Sequence, residues 1–378
     1  MLISLVMSLL VILIGLVYPG FFARVTSLVS TIDFNAALMK VMVGFLLFAG
    51  SMHIDIHQLR KESAVIITFS TVGVLISTFV VAGLKYIVTG WFGIQIDFIS
   101  CMLFGALISP TDPIAVLGIL KKANIPQTLE MKITGESLFN DGVGVVVFAT
   151  ILEIINTGFG NISAAQIGLF FLKEAVGGVL FGLLIGYIGF LALRSIDNYI
   201  VELVITLAIV MGGYLLADHL HVSALLAVVA AGIVTGNKSM DQGMSDLTRD
   251  YVKKFWEMVD EVLNAILFLL IGFEMLIIPI NRAMFWLGCT AIVIVLLARW
   301  ISVVIPMIFL KYAKTFEKNA IQILTWGGLR GGISVALALS LPKSSFNETF
   351  VSITYTVVLF SIIVQGLTIG KLAKKLVV

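Results

Sequence analysis

Long apolar runs recur along the chain, and they restrict it to folds that a lipid bilayer can hold. A helix of about 20 apolar residues crosses the hydrocarbon core with every backbone group hydrogen-bonded inside the segment. A soluble protein of 378 residues, 60% hydrophobic and 12% charged, could not cover its apolar surface. We therefore predict an all-α polytopic membrane protein with about 12 transmembrane helices. The runs are residues 2–22, 36–52, 63–89, 98–120, 128–156, 164–193, 199–217, 222–237, 254–279, 283–311, 318–341 and 347–371.

The basic residues favour one side of such a bundle. Sixteen of the 24 lysines and arginines fall after even-numbered runs or at the C-terminus, and six fall on the opposite side. The remaining two, Arg299 and Arg330, fall in the middle of their runs. Because cytoplasmic connections are enriched in Lys and Arg, this asymmetry predicts a multi-pass protein of the cell membrane with both termini in the cytoplasm. We expect lipid, and no nucleic acid, as its surroundings.

The fourth run is interrupted by Ser-Pro-Thr-Asp-Pro at residues 109–113. Proline lacks a backbone N–H and clashes with the carbonyl four residues earlier, so Pro110 and Pro113 free backbone groups. In lipid these groups must be satisfied by protein or water. A broken helix is the simplest solution, with its second half starting at Pro113 and capped by Asp112 or Thr111. A plain proline kink is the alternative.

The eleventh run contains Trp-Gly-Gly-Leu-Arg-Gly-Gly at residues 326–332, and its four glycines would weaken a helix around Arg330. Interrupted segments at corresponding positions of two halves indicate a transporter built from inverted repeats, with a binding site near the bilayer midplane. Close helix packing through glycine is the alternative. The residues predicted to support the two broken helices are Pro110, Pro113, Gly328, Arg330 and Gly331.

The fifth run carries Gly-Glu-Ser-Leu-Phe-Asn-Asp at residues 135–141. A helix that enters the bilayer near residue 130 places Asp141 about 16 Å deep, near the middle of a ~30 Å core. Glu136 and Asn140 share one helix face, and Ser137 and Asp141 share the adjacent face. Ionisable groups at that depth are costly and are functional candidates by default.

Arg299 also lies near mid-depth, in the tenth run. A lone buried arginine is costly, so it needs a carboxylate partner. Glu136 is the best candidate. We expect a structural Glu136–Arg299 ion pair, which would leave Asp141 free to titrate.

Three motifs together resemble the monovalent cation:proton antiporter family, in its sodium/proton exchanger branch. They are Ser-Pro-Thr-Asp-Pro, Gly-Glu-Ser-Leu-Phe-Asn-Asp-Gly and Gly-Gly-Leu-Arg-Gly, in this order and in these runs. The match covers nearly the whole chain, and the Asn140-Asp141 pair with its flanks is its specific part. The glycine motif alone would be weak.

The resemblance implies an architecture and a site. Runs three to five and ten to twelve would form a core domain with two crossing broken helices, and the other six runs a dimerisation domain. This gives residues 1–62 and 161–282 to the dimerisation domain, and residues 63–160 and 283–378 to the two halves of the core. A homodimer is expected. The implied ion- and proton-binding residues are Asp141, which carries the Na⁺, and around it Asn140, Thr111, Asp112 and Ser137.

Desolvation penalises the charged form of a buried carboxylate. Asp141 could then hold either a proton or a partly dehydrated cation, which couples the two fluxes. Oxygen ligands suit Na⁺ or Li⁺ better than a soft metal. Relatives with an Asn-Asp pair usually exchange electroneutrally, unlike those with two adjacent aspartates. Many relatives carry a glutamate near the position of Ala49, so one ion ligand is missing here.

The predicted function is therefore a secondary antiporter of Na⁺, Li⁺ or K⁺ against H⁺, with no enzymatic activity and no cofactor. A K⁺-selective antiporter, a sodium-coupled organic anion symporter and a channel remain alternatives. An intramembrane hydrolase is disfavoured because the middle of the runs contains no histidine. His53 and His57 have the i, i+4 spacing of a metal or pH-sensing pair, although a polar helix end is the simpler interpretation.

Overall fold

A computed structural model describes most of the chain, and the described part is helical without any strand. Most of the first predicted run lies outside the described residues. Residues 113–119 of the fourth run, which begin with Pro113, lie outside them as well. The predicted all-α class holds throughout the residues that are described. These are residues 10–11, 14–15, 18, 20–21, 24, 27, 37–91, 93, 96–112, 120, 125–158, 160–274, 282–312, 316–317, 319–341 and 347–377.

Each predicted run from the second to the twelfth contains a helix. Six of these helices, α2, α4, α5, α6, α9 and α12, are long and apolar enough to cross a membrane, while α1 and α3 are shorter apolar helices. Their bounds are α1 Val43–Met52, α2 Ile56–Trp91, α3 Phe98–Ile108, α4 Gln127–Thr157, α5 Ala164–Arg194, α6 Tyr199–His219, α7 Ala224–Val234, α8 Asp246–Glu274, α9 Arg282–Leu310, α10 Ala320–Gly327, α11 Gly332–Leu339 and α12 Asn347–Leu376.

Two helices begin earlier than the hydrophobicity predicts. α2 starts at Ile56 rather than at residue 63, because the Asp55 carboxylate caps it by accepting hydrogen bonds from the backbone N–H groups of His57 (2.7 Å) and Gln58 (3.4 Å). α8 starts at Asp246 rather than at residue 254. Polar first turns therefore extend both helices beyond their apolar parts.

Lys132, which the charge count assigns to a connection, is instead buried inside α4. Its ammonium group lies 3.0 Å from Glu317 and 3.7 Å from Glu62. These two carboxylates come from the segment before α10 and from the start of α2. Lys132 therefore joins three parts of the bundle.

α4 occupies the centre of the bundle, where it packs against α2, α3, α5 and α7. Close approach depends on glycines along α4. A Cβ atom at Gly144 would overlap the ring of Pro110, and one at Gly142 would lie 2.5 Å from the side chain of Leu226. The central helix can therefore contact the interruption after α3 because it carries no side chain there.

We expect Gly144→Ala to destabilise the protein, because its methyl group would enter the space of the Pro110 ring. Overpacking of this kind costs about 1–3 kcal/mol. Thermal unfolding in detergent should show a lower Tm than the wild type. Gly83→Ala in α2 is the matched control, since a Cβ there meets nothing within 4 Å and alanine favours a helix over glycine. An equal Tm for the two variants would contradict this packing.

Candidate functional site

Two interruptions of helical structure meet beside α4. α3 ends at Ile108 and residues 109–112 are non-helical, while α10 ends at Gly327 and α11 begins at Gly332. The backbone N–H of Asp112 donates a hydrogen bond of 2.8 Å to the carbonyl of Leu329. The two interruptions predicted from the sequence are therefore in direct contact. The return to helix at Pro113 lies outside the described residues and stays a prediction.

Two glycines of the second interruption leave room for charged side chains of neighbouring segments. A Cβ atom at Gly331 would overlap the carboxylate of Asp112, and a Cβ atom at Gly328 would lie 2.5 Å from Nε of Arg299. Both glycines are therefore required for close approach of charged side chains. This is a more specific role than a weakening of the helix.

The backbone carbonyls freed at the interruptions have side-chain donors. The buried Arg330 donates from Nη1 to the carbonyl oxygens of Ser109 and Pro110, the latter at 3.0 Å. Gln365, in α12, donates from Nε2 to the carbonyl of Trp326 at 3.0 Å. Each interruption is thus stabilised by groups from another segment, as burial away from water requires.

Asn140 and Ser137 hold Thr111 against α4. The side-chain oxygen of Asn140 accepts a hydrogen bond from the Thr111 backbone N–H (3.2 Å), and its amide nitrogen donates to Thr111 Oγ1 (2.7 Å). The Thr111 and Ser137 hydroxyl groups lie 3.1 Å apart. Both polar atoms of the Asn140 side chain are therefore engaged by the interruption after α3.

Glu136 and Arg299 form a buried ion pair. The Arg299 guanidinium donates from Nη1 and Nη2 to the two carboxylate oxygens of Glu136, with 3.0 Å for the Nη2 bond. It also donates to the carbonyl of Leu324, from Nε at 3.2 Å and from Nη2 at 3.1 Å. Such a bidentate arrangement is the strong form of an Arg–carboxylate contact. The structure thus places together the two side chains that the sequence pairs.

Asp141 differs from its neighbours because no described residue donates a hydrogen bond to its carboxylate. It is 7% exposed and lines a cavity of ≈ 620 Å³. Its main electrostatic interactions with other charged groups are those with Asp112 and Arg330. A buried carboxylate without a fixed donor, facing a cavity, can exchange its partner.

The cavity leads from Asp141 to one end of the bundle and is strongly acidic. Its mouth lies between the α1–α2 connection, with His53 and Asp55, and the start of α4, with Gln127 and Glu130. Carboxylates concentrate cations in a narrow cleft. The acidic residues that line it are Asp55, Asp112, Glu130, Asp141, Asp260 and Glu261.

Some functional candidates were missed by the sequence analysis. Ser334 lines the cavity from α11, and Gln365 satisfies the end of α10. An uncharged polar residue inside the twelfth run was the available signal for Gln365, whereas a single serine near a glycine motif gave none. His53 lines the cavity, and within the described ranges no cluster of three metal-ligating side chains occurs.

Comparison with known proteins identifies the family. The model of a family described as sodium/hydrogen exchanger, transmembrane, matches residues 2–375. The chain belongs to the sodium/hydrogen exchanger family. It is thus a member of a multi-pass transporter family, and its predicted resemblance is confirmed.

Individual relatives agree with this assignment. The Na⁺/H⁺ antiporter NhaP of Pseudomonas aeruginosa is 49% identical over 363 residues, which cover 95% of this chain and 85% of the relative. The antiporter NhaH of Halobacillus dabanensis is 35% identical over 91% of this chain and 84% of the relative. The sodium proton antiporter MjNhaP1 of Methanocaldococcus jannaschii has a similar fold, with a TM-score of 0.74 at 20% identity over 99% of this chain and 97% of that one.

We expect Glu136→Ala to destabilise the exchanger strongly, because it leaves the buried Arg299 charge without a carboxylate. Loss of one partner from a buried pair costs about 3–5 kcal/mol. The double variant with Arg299→Ala should lose less than the sum of the two single changes. Thermal unfolding in detergent of the wild type and the three variants measures this coupling.

Lys254→Ala provides the control for this cycle. Lys254 pairs with Asp250 at 2.7 Å on an exposed face of α8, where solvent screens the interaction. Its Tm should equal that of the wild type. Additive effects of the Glu136 and Arg299 substitutions would show that the pair does not act as a unit.

Proposed function

We propose that this exchanger is a secondary antiporter of Na⁺ against H⁺, in which both ions compete for the carboxylate of Asp141. One observation carries the proposal: Asp141 is buried at the inner end of an acidic cavity, beside the meeting point of two helix interruptions, and no described residue donates a hydrogen bond to it. The names of NhaP and NhaH, both called Na⁺/H⁺ antiporters, support the choice of ions.

A cation in this cavity would meet hard oxygen ligands. Asp112 shares the lining with Asp141. Thr111 and Ser137 are not lining residues, but they lie next to Asp112 and one helical turn from Asp141 along their segments, with their hydroxyl groups 3.1 Å apart. Carboxylate and hydroxyl oxygens suit Na⁺ or Li⁺. Both polar side-chain atoms of Asn140 are bound to Thr111. Asn140 therefore positions Thr111, whereas Asp141 supplies the exchangeable charge.

The Glu136–Arg299 pair leaves Asp141 as the titrating carboxylate of α4. Glu136 is balanced by a bidentate guanidinium. Asp141 has no such partner among the residues that the structure describes. One carboxylate that binds either one proton or one Na⁺ gives exchange without net charge movement.

The proposed moving body is residues 63–160 together with residues 283–378. The contacts that join these halves support this division: Glu136 with Arg299, Arg330 with Ser109, and Asp112 with Leu329. Residues 1–62 and 161–282, the proposed homodimer-forming part, contribute the opposite cavity wall through α1 and α8. Alternating access would come from movement of one part against the other.

The cavity mouth fits an inward-facing state in the cell membrane. It opens at the α1–α2 connection and at the start of α4, where the charge asymmetry of the sequence places the cytoplasm. In this state we infer that Asp141 exchanges ions with the cytoplasm.

We expect Asp141→Asn to abolish Na⁺/H⁺ exchange while leaving the Tm unchanged, because an amide cannot alternate between a proton and a cation. Everted vesicles with an acidic interior and a pH-sensitive dye would report dissipation of the gradient after addition of NaCl, LiCl or KCl. Glu257→Gln, an exposed carboxylate change on α8, is the control and should exchange like the wild type. Retained Na⁺-dependent dissipation by Asp141→Asn would reject the proposal, and a response to KCl alone would assign a K⁺ antiporter instead.

Electroneutral exchange predicts that the membrane potential has no effect on the rate. In proteoliposomes, a potential set by valinomycin and a K⁺ gradient should leave the initial rate of Na⁺/H⁺ exchange unchanged. A rate that rises when the potential is imposed would show that net charge moves in each cycle.

A further inference from the structure

Ser334 carries a buried hydroxyl group, and the residue belongs to the lining of the ion cavity, although the site described so far gives it no role. It is 1% exposed and belongs to the lining together with Asp112 and Asp141. Its Oγ has no hydrogen-bond partner among the described residues. Buried hydroxyls are almost always satisfied, so this one requires an explanation.

The interruption before α11 accounts for the missing partner. A buried serine or threonine in a helix usually donates to the carbonyl three or four residues earlier, as Thr354 does to Phe350 (2.7 Å) and Thr150 to Val146 (2.7 Å). For Ser334 those positions are Arg330 and Gly331, which precede the helix. Gly331 has extended backbone angles (φ −125°, ψ −155°), so no helical carbonyl is available.

The same interruption brings Ser334 near a carboxylate. A Cβ atom at Gly331 would overlap the carboxylate of Asp112, and Ser334 follows Gly331 by three residues, in the first turn of α11. The positive end of α11 alone would repel a cation. Asp112 at this end offsets that effect, and the shared acidic lining excludes an anion.

We propose that the Ser334 hydroxyl is a further oxygen ligand of the transported cation, contributed from α11 opposite the ligands of α4. This inference rests on the proposed function and adds the second interruption to the ligand shell. A hydroxyl whose rotation is not fixed by a hydrogen bond to a helix carbonyl can turn a lone pair towards Na⁺. The ion then contacts both interrupted segments, so its binding stabilises their mutual position.

The test is the Na⁺ dependence of exchange by Ser334→Ala in proteoliposomes. Loss of one neutral ligand should raise the Na⁺ concentration for half-maximal rate roughly 2- to 10-fold, with the maximal rate and the Tm close to those of the wild type. Ser334→Thr, which keeps the hydroxyl, should restore most of the Na⁺ affinity. Ser340→Ala is the matched control and should behave like the wild type, because the Ser340 hydroxyl donates to the carbonyl of Leu337 at the end of α11.

The outcomes separate this inference from the proposed function. A Ser334→Ala protein with wild-type Na⁺ dependence would overturn the ligand role and would mean that water satisfies the hydroxyl. A lower maximal rate and Tm, without a change in Na⁺ dependence in either Ser334 variant, would overturn it as well, in favour of a structural role. If the wild type itself shows no Na⁺-dependent exchange, the proposed function fails before the variants are compared.

Discussion

The structure depends on the contact between two interrupted segments in the centre of the bundle. Each interruption frees backbone groups that hydrocarbon cannot satisfy. Arg330 from one segment binds carbonyl groups of the other, and the Asp112 N–H binds the Leu329 carbonyl in return. Each interruption therefore satisfies some of the backbone groups of the other. The polar site is therefore a property of the pair of segments, and a rearrangement of one must involve the other.

Charge distribution around α4 follows from the same contact. Gly328 admits the Arg299 side chain, which fixes Glu136, and Gly331 admits the carboxylate of Asp112. Two neighbouring turns of one helix thus hold carboxylates with different surroundings. Glu136 is bound by a guanidinium, whereas Asp141 faces the cavity without a donor from the described residues. In the proposed exchange, the proton and the cation compete for Asp141, whereas Glu136 remains paired with Arg299.

Much of this could be predicted because membrane burial makes polar residues informative. The all-α class, the two interruptions, the Glu136–Arg299 pair and the position of Asp141 all follow from the cost of polar groups in apolar runs. The start of α2 could not be read from hydrophobicity, because it depends on the Asp55 cap. Asn140 was grouped with the ion ligands, but its engagement with Thr111 requires knowledge of which segments touch. Ser334 could not be predicted for the same reason. Serine is common in helices, and this one differs only because the interruption before α11 removes the helical carbonyl to which its hydroxyl would donate.

The central claim is that Na⁺ and H⁺ occupy Asp141 alternately, and Na⁺ binding to the purified exchanger tests it most directly. Calorimetric titrations in buffers of different ionisation enthalpy measure the protons released per Na⁺ bound. The account predicts release of about one proton at low pH, with an apparent Kd for Na⁺ that rises roughly tenfold for each unit of decreasing pH in that range. Na⁺ binding with no proton release and a pH-independent Kd would contradict it.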